Sequence, residues 1–250
     1  MLPLNFKPQG KFNLLRVGGD NDGGYLIELN SIQQSQELIS MGIGKNWKFE
    51  EGFLQYAPMS ISVYAYDHSV RGLFWPNFFI KQFFSVLIGQ FRAPFKAIKK
   101  YKKFKHFFRK NAQLYYEKIG IREGCTNLWK AIDRTGGEDI FLKIDIEGHE
   151  YEILDEITEY SLLLTGLVIE FHNISDHLDE IKNFIDGFEL KLVHIHPNNN
   201  RVDEQGNPRA IEMTFAREPK KLSETLVLPH PLDQLNVPRK ETVSLRFVNS

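Results

Sequence analysis

Apolar residues along this chain follow two rhythms that alternate with each other. "ELISMGIG" (37–44), "ISVYAYD" (61–67), "DIFLKIDIEG" (139–148) and "LLLTGLVIEFH" (162–172) are short, nearly continuous apolar runs. So are "FELKLVHIH" (188–196) and "AIEMTFARE" (210–218). Such runs, bounded by turn residues, are the pattern of strands buried on both faces. Between them "KFEEGFLQYA" (48–57), "HEYEILDEI" (149–157) and "DHLDEIKNFIDG" (176–187) repeat at helical spacing, the last with Gly187 as its stop. Strands alternating with helices predict an α/β domain with a mostly parallel sheet and helices on both faces. The last two strands break the rule. The polar segment joining them, "PNNNRVDEQGNPR" (197–209), has no helical period, which predicts an antiparallel hairpin closing the sheet.

Three segments stand outside the alternation. "RVGGDNDGGYLIEL", with paired glycines between apolar runs, predicts an N-terminal hairpin over about 12–30. Residues 218–250 carry Pro219, Pro229, Pro231 and Pro238 and read as an extended tail wrapped over the domain. Residues 71–110 hold eleven Lys or Arg, no Asp or Glu, and twelve aromatics. This insert, which with its exit extends to about 118, is split by Pro76 and Pro94 into at least two short helices.

Composition bounds the rest. A chain of 250 residues suits one domain with an elaborated insert. Its 42% hydrophobic and 25% charged content is globular, not disordered. The net charge of −1 names no partner, and the basic insert means that the remainder is acidic. A single cysteine, Cys125, excludes an internal disulfide and a cysteine-based metal site and suits a reducing compartment. There is no leader-like apolar segment and no run of about 18 apolar residues, so a cytoplasmic protein without a membrane-spanning helix is expected.

Candidate chemistry gathers at the strand ends, where open parallel sheets bind ligands. Gly42 and Gly44 follow the first strand and allow a tight turn; Asp67 ends the next and can accept the hydroxyls of an adenosine ribose. The third glycine of a dinucleotide fingerprint is replaced by Trp47, so an adenosine ligand without a pyrophosphate fits better. The bland alternative is a turn and a helix cap. Alternation also pairs Asp145 with Glu147, Glu170 with His172, and His194 with His196. Glu212 starts a strand running the other way and so lies at the same end. Carboxylates at this density repel unless they share a proton or a cation, and carboxylates with imidazole suit Mg²⁺, Mn²⁺ or similar ions. The alternative is a set of solvated strand ends.

"LKIDIEGHEYEIL", with "NDGGYLI", "SMGIGKNWKFE", "VYAYD", "VIEFH" and "HIHPNNN…IEMTF", resembles the FkbM-type methyltransferases, which use S-adenosylmethionine (SAM). The resemblance runs from about 14 to 217, excluding the insert. It implies a Rossmann-like class I fold, seven strands with an antiparallel last strand, the seventh falling near 114–124. It implies that Gly42, Gly44 and Asp67 hold SAM, that Asp145 faces the methyl group, and that Asp22 and Tyr25 lie at the cofactor mouth. A divalent metal, Mg or Mn, would be held by Asp145 and Glu170 with His172 or His196. The proton acceptor stays open among Glu147, His149 and His172. Asn198 and Asn199 offer amides to sugar hydroxyls. The function implied is O-methylation of a sugar, as a nucleotide-activated sugar or surface-polysaccharide precursor. The insert admits three readings: a grip on a polyanionic substrate, a peripheral contact with the inner face of a membrane, or a solvated basic face. A membrane- or polyanion-binding protein on a nucleotide-binding fold is the rival function. An NAD(P) oxidoreductase is weakened by the missing third glycine, and no nucleic-acid module is present. The sequence names no oligomeric state.

Overall fold

The computed structural model describes residues 1–72 and 74–248. Leu73 of the insert and residues 249–250 of the tail lie outside the described residues.

The chain opens with the short strands β1 (Leu2–Pro3) and β2 (Lys11–Phe12). The antiparallel hairpin β3 (Leu14–Gly18) and β4 (Gly24–Glu28) follows, then α1 (Leu29–Gln34). Next come β5 (Glu37–Met41), α2 (Lys48–Tyr56) and β6 (Ser62–Tyr66). The insert forms α3 (Phe74–Phe84) and α4 (Ala93–Lys110), and the chain returns through β7 (Gln113–Tyr115) and α5 (Leu128–Asp133). After them lie β8 (Ile140–Ile144), α6 (Leu154–Glu159), β9 (Leu164–His172) and α7 (Leu178–Gly187). The long pair β10 (Lys191–Val202) and β11 (Pro208–Ala216) and the short β12 (Lys221–Ser223) and β13 (Phe247–Val248) complete it.

Seven strands make the central sheet, in the order β10-β11-β9-β8-β5-β6-β7. Strand β11 is antiparallel to both of its neighbours, and the other pairings are parallel. This is a Rossmann-like, mostly parallel seven-stranded sheet with one antiparallel strand, the architecture expected. Strand order reverses between β5 and β8, so a crevice opens beyond their carboxyl ends.

Two layers cover the sheet. Met41, Ile144, Ile169, Ile195 and Met213 face a core shared with Ile157, Ile181 and Phe184 on α6 and α7. On the other face Leu38, Phe141 and Val168 meet Tyr25 and Ile27 of the hairpin and Phe49 and Phe53 of α2. The base of the insert docks through Trp75, Phe104 and Phe107 onto Ile43, Trp47 and Ala65. Pro76 and Pro94 sit in the first turns of α3 and α4, where a missing N–H breaks no helical hydrogen bond.

Two expectations shift. The strand sought at 114–124 is Gln113–Tyr115, three residues beside β6, because a turn through Gly120 and Gly124 follows it. The segment 197–209 is not all turn. Strand β10 continues to Val202 and pairs Pro197 with Ile211 and Asn198 with Ala210, leaving 203–207 as the turn. A proline is tolerated there because β10 is the sheet edge.

The tail pairs β12 with β2, crosses the ends of β10 and β11 as a strap, and places β13 parallel to β1. Among the described residues no helix is long and apolar enough to cross a membrane.

Candidate active site

The crevice begins at a glycine turn. Gly42 and Gly44 have φ of +83° and +54°, values that favour glycine. A Cβ on Gly42 would meet the Asp145 carbonyl oxygen at 1.7 Å, whereas one on Gly44 would find nothing within 4 Å. Gly42 therefore lets two strand ends touch, and Gly44 opens onto free space. Asp67, buried at the end of β6, closes the turn: its Oδ2 accepts the N–H groups of Ile43 (2.9 Å) and Gly44 (2.6 Å). Its Oδ1 accepts Ser69 N–H at 2.7 Å.

Beside the turn runs a row of acids. Register sets His196 opposite Glu212 and Glu212 opposite Glu170. The Ile144–Ile169 pairing brings Asp145, the next residue, beside Glu170. Residues directly opposite share a face, so all four point to the hairpin side of the sheet. Asp145 Oδ2 accepts the Tyr25 hydroxyl at 3.2 Å and lies 3.7 Å from Lys143 Nζ, which also donates to Gly42 O at 2.5 Å. Burial, then the charges of Asp145 and Glu212, push the Glu170 carboxyl well above its ordinary range. Burial likewise raises Glu212 to about 7 against the pull of His196, Asn236 and Arg16. Burial thus favours the protonated forms of Glu170 and Glu212.

The turn after β8 brings in the histidine. Glu147 takes φ +56° and Gly148 φ +99°, which swings the chain back under β9. Glu150 is fully buried. Its Oε2 accepts Gly148 N–H at 2.9 Å, and its Oε1 accepts His172 N–H at 2.6 Å and faces His172 Nδ1 at 3.1 Å. The other ring nitrogen, Nε2, looks at Glu147 Oε2 (3.7 Å) and Glu170 Oε1 (3.9 Å). Burial opposes the charge on His172, but the Glu150 hydrogen bond and the carboxylates of Glu170, Glu150 and Asp145 outweigh it and raise the ring to about 9. Asp145, Glu147 and His172 can each aim one ligand atom so that all lie within 4.8 Å of one another.

Strand alternation pairs Asp145 with Glu147, yet β8 ends at Ile144, and a left-handed turn is what brings Glu147 to the cluster. His149 leaves it: Nδ1 faces Glu152 at 3.3 Å, because the turn at 148–150 rotates the ring outward. His196 leaves the Asp145–Glu170 set as well and joins His194 and Asp233 under the strap. Asn198 donates to Glu170 Oε1 at 2.7 Å. Asn199 is engaged by the strap, donating to Val237 O (3.0 Å) and accepting Val237 N–H (2.9 Å). Asp22 is exposed in the hairpin turn, which Asn21 N–H ties to Gln234 at 2.9 Å.

The sequence pattern assigns no role to Lys143, Glu150 or the strap residues Asp233 and Asn236. A lysine in the apolar run "IFLKI" and a glutamate that opens "EYEIL" with its side chain wholly buried are the signals that could have found the first two.

A second concavity adjoins the turn. Lys45, Lys48, Lys96, Lys99, Lys100 and Lys103, with one acid, Glu51, and Trp47, line a pocket of about 320 Å³. Lys100 Nζ stands 5.9 Å above the indole. Burial and the neighbouring Lys45 and Lys48 lower its pKa, so the cluster favours an anion.

No protein-family model and no curated protein matches the chain. Among solved structures it is similar to an rRNA methylase from Streptococcus thermophilus: 11% identity, 76% of this chain and 92% of that one, TM-score 0.41. A precorrin-6y C5,15-methyltransferase from Geobacter metallireducens gives 13%, 75% and 85%, TM-score 0.39. A methyltransferase from Geobacter sulfurreducens gives 11%, 76% and 75%, TM-score 0.39. The fold rests on the strand order and sense given above.

Proposed function

We propose that this protein is a SAM-dependent O-methyltransferase of the FkbM type, acting on a sugar hydroxyl in a nucleotide-activated sugar or surface-polysaccharide precursor. The supporting observation is the double engagement of Asp145. Its carbonyl abuts the Cβ-free face of Gly42, and its carboxylate opens the acid–histidine cluster, so a cofactor turn and an acceptor site share one residue.

The residues fit the cofactor. Gly44 leaves a cradle that a side chain would fill, beside a buried carboxylate, and Gly42, Gly44 and Asp67 would hold the adenosine. Bound SAM supplies a methyl group on a cationic sulfur, whose charge suits the acid row. The chain's task is then to align a hydroxyl and take its proton. His172 carries a proton below about pH 9, so Glu147, 3.7 Å from its Nε2, is the better first acceptor and His172 the cation that orients it. Tyr25 and Lys143 hold Asp145 in place. With His172 neutral instead, Asp145, Glu147 and His172 would form a mixed oxygen and nitrogen set suited to Mg²⁺ or Mn²⁺, an alternative to this proton transfer in which the ion would make the hydroxyl more acidic. The lysine-rich pocket supports an acceptor bearing phosphate.

Calorimetric titration with S-adenosylhomocysteine, with and without Mg²⁺ or Mn²⁺, tests this on wild type and Asp67→Ala. Binding that the variant loses is expected, and nucleotide sugars would then be screened for methyl acceptance. Absence of binding to wild type under every condition overturns the reading.

A further inference from the structure

We propose that His194, His196 and Asp233 form a buried transition-metal site, of the Zn²⁺ class, that clasps the strap onto β10. It is distinct from the Asp145 cluster and does not depend on the function proposed above. His194 and His196 project from one face of β10 with their rings 16° from parallel and centroids 6.5 Å apart. Asp233 Oδ1 reaches in from the strap to within 2.9 Å of His194 Nε2 and 3.5 Å of His196 Nδ1. One atom from each of the three lies within 4.8 Å of the others. Zinc–nitrogen and zinc–oxygen bonds of about 2.0–2.2 Å put tetrahedral ligand atoms about 3.3 Å apart, so the spacing matches.

Hydrogen bonding alone leaves this cluster unsatisfied. His194 Nε2 and His196 Nδ1 are buried and have no hydrogen-bond partner, although a carboxylate oxygen stands close to both. Its direction is wrong for a hydrogen bond; ligand atoms around a common centre have such a geometry. The other side of His196 is settled: Nε2 faces Asn236 Oδ1 at 3.2 Å, and the Asn236 amide donates to Glu212 at 2.7 Å. An amide oxygen that takes the Nε2 proton leaves a lone pair on Nδ1, aimed at a carboxylate. Two acceptors face to face share either a proton or a metal ion, and the convergence of a third ligand atom from His194 on the same carboxylate oxygen favours the ion. Imidazole with a single carboxylate selects zinc and its neighbours over Mg²⁺. A further imidazole, His230, has its ring centroid 5.9 Å from that of His194.

Metal content of the protein purified without chelator, then loaded with Zn²⁺ and exchanged into buffer, tests the site. About one tightly held ion per chain is expected, lost in His194→Ala and in Asp233→Asn and retained in Asp145→Asn. Chelation should also expose residues 218–248 to trypsin in the wild type, a readout independent of the variants' folding. Fewer than about a tenth of an ion per loaded chain, or an ion that stays in both clasp variants and leaves with Asp145→Asn, overturns the proposal.

A separate observation concerns the far end of the insert. Phe83, Phe84, Leu87, Phe91 and Phe95 are each 61–81% exposed at the turn between α3 and α4, away from the aromatic base that docks on the domain. Among the described residues no lysine or arginine of the insert forms an ion pair. A large apolar patch amid unpaired cations fits one occupant, the interface of an anionic bilayer. A second copy fits poorly, since a two-fold contact would set like charges against each other. The geometry points to a membrane-docking tip that inserts these side chains among lipid headgroups. Co-sedimentation with phosphatidylcholine vesicles containing about one-third phosphatidylglycerol should capture the protein, and pure phosphatidylcholine should not. Phe83→Ser/Phe84→Ser/Leu87→Ser should weaken capture about tenfold or more, with unchanged S-adenosylhomocysteine binding. Absence of capture, capture equal for wild type and variant, or self-association that only the wild type shows without capture, overturns it.

Discussion

One oxygen of Glu150 holds His172 twice, accepting its backbone N–H at 2.6 Å and facing its ring Nδ1 at 3.1 Å. This links the turn after β8 to the end of β9 and fixes the ring's charge. A histidine raised from 6.5 to about 9 binds more protons folded than unfolded between those values. Its contribution is therefore complete below pH 6.5 and is lost as pH rises through about 9. Urea unfolding between pH 6 and 9.5 should show stability falling by on the order of 2 kcal/mol, with the slope flattened in His172→Gln. A wild-type slope equal to the variant's would count against the assignment.

Glu150→Gln keeps the shape and removes the charge. The buried turn then loses an acceptor for Gly148 N–H or for His172, at a cost of about 1–3 kcal/mol. The His172 pKa, followed by NMR titration, should fall by more than one unit, on the order of 1.4 kcal/mol of lost interaction. An unmoved pKa would mean that Glu170 and Asp145 alone set the ring's charge.

Gly42 and Gly44 are predicted to fail differently. Alanine at 42 drives a carbon into the Asp145 carbonyl and should cost several kcal/mol or prevent folding. Alanine at 44 meets no atom, so it should cost only the left-handed penalty of about 1–2 kcal/mol while weakening S-adenosylhomocysteine binding. Melting curves with and without ligand separate the two; equal stability losses would contradict this division of roles.

Tyr25→Phe tests the hairpin's link to the site. The ring would keep its edge-to-face contact with Phe49, 5.6 Å away, and lose only its bond to Asp145. A stability loss of about 1 kcal/mol is expected. Turnover should fall with little change in KM once an acceptor is known; a change confined to KM would place Tyr25 in substrate binding instead.

The sheet could be read from its sequence because parallel strands buried on both faces leave long apolar runs, as "VYAY" and "LVIEF" do. The glycine turn and Asp67 could be read too, since a left-handed backbone and a strand-end acid are local features. What could not be read is who faces whom. Asp145 and Glu147 meet His172 through a turn whose φ values no alternation rule supplies. His196 shares the row with Asp145 but answers to Asp233 and Asn236, which come from a proline-rich tail without periodicity. "PNNN" looks like a turn because proline and asparagine are turn formers; Asn199 finds its partner 38 residues away.

The strap also fixes an order of events. His196 and its clasp partner Asn236 lie 40 residues apart, and Glu212 waits 24 residues for the same amide. During synthesis the sheet's edge therefore exists as an open margin of buried-type polar groups before the segment that completes it has been made. The acid row gains its Asn236 hydrogen bond only when that late segment lands.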